Sequence, residues 1–305
     1  MAISQRRNRT KRARTGKRIE LTSRDFEIFR VLARYRYLPS TYIYAFVGGA
    51  SETRFKERLG DLFHEGYLNR PAPQWELANC RHRPVVHEIG PGAMRALERQ
   101  EIVEEPRTWL RASADRQFPH ALMICQILAS IEIATRLRPG LRFISWPEML
   151  AKAPAETRDS AAPFRLPPTA ASKEIVPDGL FGIEYFSNGS KAYRFFAVEA
   201  DRGTMPIIRS NQDQTSCLGK LTAYRRFLSA HGQRTHLGVP TLLVLMVTTD
   251  CGRLGEILAR LAHSPEVTSV FLFKATESSE LSFPTTKLLF EGWERIGALP
   301  LQIDG

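Results

Sequence analysis

Long apolar runs are missing from this chain. No stretch of its 305 residues approaches the ~18–20 consecutive apolar positions a membrane-spanning helix needs, and the longest, Thr241–Val247, is strand-sized. A basic N-terminus without an apolar core behind it is not a secretory signal. Cysteine is sparse: Cys80, Cys125, Cys217 and Cys251 lie far apart and form no C-x-x-C, which excludes a disulfide framework and fits reduced thiols in the cytoplasm. Cys80, His82 and His87 lack a fourth ligand at zinc-site spacing. Acids are absent from residues 1–18, where Arg6, Arg7, Arg9, Lys11, Arg12, Arg14, Lys17 and Arg18 supply eight of the eleven net positive charges.

That basic stretch has almost no apolar content, so a disordered arm is expected over residues 1–18. An arginine-dense arm suits phosphate contact or minor-groove insertion, which makes double-stranded DNA the expected partner. A solubilising tail, or one binding ribosomal RNA non-specifically, is the plainer reading. The whole chain is 43% hydrophobic and 25% charged, the balance of a globular protein long enough for one large domain or two ordinary ones.

Residues 19–100 predict three helices and a β-ribbon. Thr22 or Ser23 caps a first helix with Asp25 and Glu27 in its opening turn, and Phe26, Phe29, Leu32 and Ala33 form its apolar stripe. A second helix begins at Pro39-Ser40 and breaks at Gly48-Gly49. Ser51 caps a third, with Phe55, Leu59, Leu62 and Phe63 inward and Arg54, Lys56 and Arg58 outward. Strands follow at Tyr67–Arg70 and Val85–Ile89, joined by a basic loop, and a helix follows Gly90-Pro91-Gly92. This order describes a winged helix-turn-helix, whose third helix fits the major groove. Thr53, Arg54, Lys56 and Arg58 would read base edges, and Arg70, Arg81 and Arg83 would lie on the wing near phosphate. A winged helix used for protein contacts is the competing reading.

Residues 101–116 read as a charged linker. From 117 to 305 the pattern is helix (Phe118–Leu137), strand, hairpin, helix, strand, helix, strand: an α/β domain with a mixed sheet, α+β overall for the chain. Lys152–Ser172, rich in Ala, Pro and Thr, reads as a surface loop. His120 and Glu132 are the polar exceptions in the first helix, and Glu132 is a candidate neighbour of the acids below.

The hairpin organises this half. Asn188-Gly189 between two runs rich in β-branched and aromatic residues is a strong turn signal, since both positions tolerate positive φ. Asp178 opens the first strand, and Glu199 and Asp201 end the second on one face, so all three acids meet at one end of the sheet. Close carboxylates repel unless neutralised, and hard cations such as Mg²⁺ take such ligands. Solvated acids, or pairing with Arg202, Arg194 or Lys191, is the alternative.

These acids and the order of elements resemble the PD-(D/E)xK nuclease fold. Pro177-Asp178 matches its first motif and Glu199 the acid of its second; Asp201 stands where the lysine belongs, and Lys220 on the next helix is the candidate replacement. The chain over about 20–297 also resembles the replication-relaxation family of plasmid and integrative-element proteins. That resemblance rests on Leu21-Thr22, His87–Gly92, Phe118-Pro119-His120, Pro177-Asp178, Glu199–Thr204, Lys220-Leu221 with Tyr224, and Arg253, in that order. It implies a DNA-binding protein of plasmid replication, mobilisation or strand relaxation, with a relaxase or replication proteins as partners, a homodimer as one possible state, and no membrane. Two readings remain. One is a DNA-binding factor whose α/β domain is a non-catalytic platform. The other is a Mg²⁺-dependent endonuclease or nickase: Asp178 and Glu199 hold the metal, Asp201 adds a ligand or orients water, and Lys220 stabilises charge on the phosphorane.

Overall fold

A computed structural model of the chain describes residues 8–13, 16, 18–101, 118–168, 174–209, 216–264 and 267–305. The chain divides into two units, Met1–Ala129 with Ser282–Pro284, and Ser130–Leu281 with Thr285–Gly305. The division falls inside a helix rather than in the 101–116 connector, most of which lies outside the described residues.

In the first unit, helix α1 (Ser23–Tyr35) begins with a reciprocal capping box: Thr22 accepts from the Asp25 backbone N–H, and the Asp25 carboxylate accepts from Thr22. Ile28, Phe29, Val31 and Leu32 are buried, while Phe26, expected in the stripe, is only half-buried. A two-residue strand, β1 (Leu38–Pro39), leads into α2 (Ser40–Val47), which stops at Gly48 in the left-handed region. Helix α3 (Glu52–His64), capped by Ser51, buries Phe55, Leu59, Leu62 and Phe63. Strands β2 (Leu68–Asn69) and β3 (Val86–Ile89) complete a three-stranded antiparallel sheet in the order β1-β3-β2.

Two glycines set a close approach in this unit. Gly90 and Gly92 at the start of α4 (Pro91–Arg99) lie against the Gly66-Tyr67 backbone, and a Cβ at Gly90 would stand 2.6 Å from the Tyr67 carbonyl oxygen. The loop between β2 and β3 is pinned by Gln74, whose amide exchanges hydrogen bonds with the Val86 N–H and carbonyl at 2.8 and 3.0 Å.

Helix α5 (Phe118–Thr135) is apolar nearly all round. By length and mean hydropathy, 1.4, it meets the minimum for a membrane span, although His120, Gln126, Ser130 and Glu132 interrupt its apolar positions. Its burial, 83% of the window, marks it as a core helix. Within the first unit Phe118 packs edge-on to Tyr37 and the Cys125 thiol donates to the Tyr35 carbonyl. Leu137, expected to continue the helix and its apolar surface, lies beyond it and is exposed. Glu132 pairs with Arg136, one turn on.

The second unit carries a seven-stranded sheet in the order β10-β9-β8-β7-β6-β5-β4. Strands β4 (Leu141–Ile144), β5 (Gly179–Ser187) and β6 (Ser190–Asp201) form an antiparallel meander. The β5–β6 turn has Asn188 at φ 50° and Gly189 at φ 78°, with Ser187 opposite Ser190. From β6 the sheet runs parallel through β7 (Leu243–Thr248) and β8 (Phe271–Ala275). Parallel neighbours need crossovers, here containing α8 (Cys217–Ser229) and α10 (Cys251–Leu261). Between them lies α9 (Gly232–Thr235).

Two features depart from expectation here. The 152–172 stretch is less open than expected: after α6 (Trp146–Ala151) comes α7 (Ala155–Arg158), Phe164 and Leu166 are buried, and Leu166 bridges Ile175. After α11 (Lys287–Phe290), β9 (Trp293–Arg295) and β10 (Ala298–Leu301) extend the sheet, with Trp293 fully buried.

Candidate functional site

In the second unit the antiparallel β5–β6 pair brings the start of β5 to the end of β6. Asp178 donates its backbone N–H to the Val198 carbonyl and accepts the Ala200 N–H on Oδ2 at 2.9 Å. Glu199, 3% exposed, is reached from α8 by two residues one turn apart: Lys220 Nζ lies 2.5 Å from Oε2, and the Tyr224 hydroxyl donates to Oε1 at 2.7 Å. Burial pushes the Glu199 carboxyl up, the Lys220 ammonium pulls it down and Asp178 pushes it up again, leaving it at about 7. Burial alone would lower Lys220, but Glu199 and Asp178 outweigh that and raise it. Tyr224 is held well above its ordinary value by burial and by Glu199.

Asp201 lies on the same face and has different partners. Arg253 Nε donates to it at 2.9 Å, and the Gly203 N–H donates to its other oxygen. Arg253 sits in the first turn of α10, where Asp250 caps the helix by accepting its N–H, and its guanidinium also reaches the Met205 carbonyl. The acids therefore pair with Lys220 and Arg253. Of the other cations weighed, Lys191 pairs with Glu184 and Arg194 stacks over Tyr185.

The structure brings together Asp178, Glu199 and Lys220, adds Tyr224, and ties Asp201 to Arg253. A cation at the expected Mg²⁺ ligands would have to share their oxygens with the groups already bonded to them. Both oxygens of Glu199 and of Asp201 already accept hydrogen bonds, as does Oδ2 of Asp178. Among the described residues no group of three or more His, Cys, Asp or Glu side chains is set to hold a metal. Nearby, burial and Asp201 push the Cys217 thiol up to about 12, and all four cysteines are free.

The first unit presents α3 and the loop before β3. Thr53 and Arg54 are exposed on the opening turn of α3. Lys56 is exposed and pairs with Glu52 at 2.7 Å. Arg58, expected to read bases, is instead committed inward: it donates to both oxygens of Asp25, at 2.9 and 2.6 Å, and to the Glu20 carbonyl. Burial pushes Asp25 up, but Arg58 and Thr22 overcome this and hold it below its ordinary value.

Arg70, expected near phosphate, lies mostly buried against the Phe63 ring, 4.2 Å from its centroid, and donates to the Arg9 carbonyl. Arg81 and Arg83 stand on the loop before β3, where their carbonyls accept from Arg9 at 2.9 and 2.8 Å.

Within the stretch read as a disordered arm, residues 8–13 make specific contacts. Arg9 lies over Trp75, and Arg12 donates to the Phe63 and Leu68 carbonyls and to Asn69. The Ala13 N–H donates to His64 Nδ1. Lys11 is exposed, and Arg6, Arg7 and Arg14 lie outside the described residues.

Sequence reasoning missed Tyr224 and Arg253 as partners of the acids. Tyr224 had a legible signal, since it stands four residues after Lys220 and shares its helical face. Comparison with curated proteins and with solved structures yields no match. A family model described as replication-relaxation matches residues 29–243, and the chain belongs to that family.

Proposed function

We propose that this protein binds double-stranded DNA through a winged helix-turn-helix in its first unit and serves replication or mobilisation of a plasmid or integrative element. The family supports the replication or relaxation setting. One observation carries the DNA reading. The elements run α1-β1-α2-α3-β2-β3 with sheet order β1-β3-β2, and α3 leaves Thr53, Arg54 and Lys56 on its outer surface. A helix of that size fits the major groove, and side chains on its outer face reach base edges. Arg81 and Arg83 would meet phosphate from the loop before β3, and the basic arm would add sequence-independent affinity. A relaxase or replication proteins, and a second copy of the chain, are the proposed partners, in the cytoplasm. The test is duplex binding by fluorescence anisotropy: Arg54→Ala should weaken it, and unaltered binding in Thr53→Ala, Arg54→Ala and Lys56→Ala alike would refute the reading.

The second unit we read as a nuclease-like platform without catalysis. Lys220 aimed at Glu199 favours the alternative, a Mg²⁺-dependent endonuclease or nickase built on Asp178, Glu199, Asp201 and Lys220. In that reading Glu199 would hold the metal with the same oxygens that accept from Lys220 and Tyr224. Nicking of supercoiled plasmid with Mg²⁺ or Mn²⁺ decides between them. Cleavage by the wild type that is lost in Glu199→Ala and Lys220→Ala would establish the nuclease.

A further inference from the structure

The first unit contains a cleft of about 350 Å³ between α3, the start of α2 and the loop before β3. Arg9, Lys56, Arg70, Arg83 and His82 line it, against one acid, Glu52. Buried within its lining are two groups with unmet polar atoms: His87 Nδ1 and Arg70 Nε have no hydrogen-bond partner. Burial, and then Arg9, push the Arg70 guanidinium down to about 10, the mark of cations crowded without enough counter-charge. Such a site favours an anion.

The lip of the cleft is Phe283, a residue distant in sequence and 58% exposed. It is held in place: the Tyr42 hydroxyl donates to the Phe283 carbonyl at 2.9 Å and the Thr41 hydroxyl to the Ser282 carbonyl at 2.8 Å. An exposed aromatic ring beside a cationic groove is the pairing that holds unstacked nucleotides, the ring taking the base and the cations the phosphate. The volume falls in the range of small-molecule sites, about 300–1,000 Å³, and exceeds what a lone phosphate fills.

We propose that this cleft binds a nucleotide, with its phosphate toward Arg83 and Lys56 and its base against Phe283. The nucleotide is either free or one unit of a single strand. This goes beyond the duplex reading, with which it shares Lys56 and Arg83 but not Phe283.

The experiment titrates full-length protein into labelled eight-nucleotide oligo(dT), with thymidine 5′-monophosphate as competitor and a duplex in parallel. Phe283→Ala should weaken oligo(dT) binding about five- to hundredfold, with Phe283→Trp restoring it. Arg83→Ala should weaken it and lower the salt slope by about 0.7. Both positions are solvent-accessible, and melting curves check that the variants fold. Competition by the monophosphate identifies a free nucleotide; Phe283-dependent oligo(dT) binding without competition identifies a strand. If oligo(dT) and the monophosphate both fail to bind, or bind unchanged in Phe283→Ala and Arg83→Ala, the proposal is overturned. Duplex binding that persists in that case leaves the winged-helix reading intact, and duplex binding lost while oligo(dT) binding holds removes only that reading.

Discussion

Arg58 on α3 clamps Asp25 on α1, donating to both carboxylate oxygens across 33 residues of sequence. Asp25 is 1% exposed and Arg58 31%. The pair ties the proposed groove-reading helix to α1.

Removing Arg58 strands a buried carboxylate. Arg58→Ala should lower the stability of the first unit by about 1–3 kcal/mol, less than for a fully buried pair because Arg58 is partly solvated. Arg54→Ala should leave stability within about 0.5 kcal/mol, as ordinary surface substitutions do. Urea denaturation of both variants checks this. Because the Asp25 pKa is lowered in the fold, its contribution is present above the ordinary carboxylate range and is lost as pH falls through the folded value.

Glu199 carries the opposite sign. Its folded pKa, about 7, lies above the ordinary value of 4.5, so the folded state binds its proton more tightly. Its contribution is complete below about 4.5 and is lost as pH rises through about 7. Glu199→Gln should therefore show a smaller fall in stability between pH 5 and pH 8 than wild type, by about 1–3 kcal/mol. Chemical denaturation at the two pH values measures it, and equal falls would contradict the assignment.

Gly90 is a packing constraint. A methyl group there meets the Tyr67 carbonyl oxygen at 2.6 Å and the Gly66 oxygen at 2.9 Å, both backbone atoms with little room to shift. Gly90→Ala should cost about 1–3 kcal/mol, seen as a lower melting temperature. Gly255→Ala, where a Cβ meets nothing within 4 Å, should cost nothing and is the control.

If the protein binds duplex DNA as proposed, the basic stretch would have two separable roles. Deleting residues 1–7 removes Arg6 and Arg7 and should lower the salt slope of duplex binding by up to about 1.8. Deleting residues 1–18 should lower the slope further and also reduce stability, because Arg9 and Arg12 bond to the domain. Binding isotherms at several salt concentrations, with melting curves, distinguish the two effects.

What the sequence made legible was local. Asn188-Gly189 announced the hairpin, Ser51 the start of α3, and Gly66 its end, because turns and caps depend on neighbours within a few residues. Arg54 and Arg58 stand one turn apart on α3 and look alike in sequence; Asp25, which separates their roles, lies on another helix. β1 and β9 escaped notice because two or three residues carry no periodicity, and β10 contains Pro300. Lys220 near Glu199 was expected through the nuclease resemblance, whereas Arg253 on Asp201 required the parallel β6–β7 crossover to be known.

The anchoring of residues 8–13 bears on how the domain can be trimmed. Arg12 supplies donors to the carbonyls of Phe63 and Leu68, and Ala13 satisfies the His64 ring, at the place where α3 hands over to β2. A recombinant fragment started at residue 19, where sequence alone would cut, leaves that corner without its partners. One started at residue 8 keeps them, and is the fragment to prepare for crystallisation or spectroscopy.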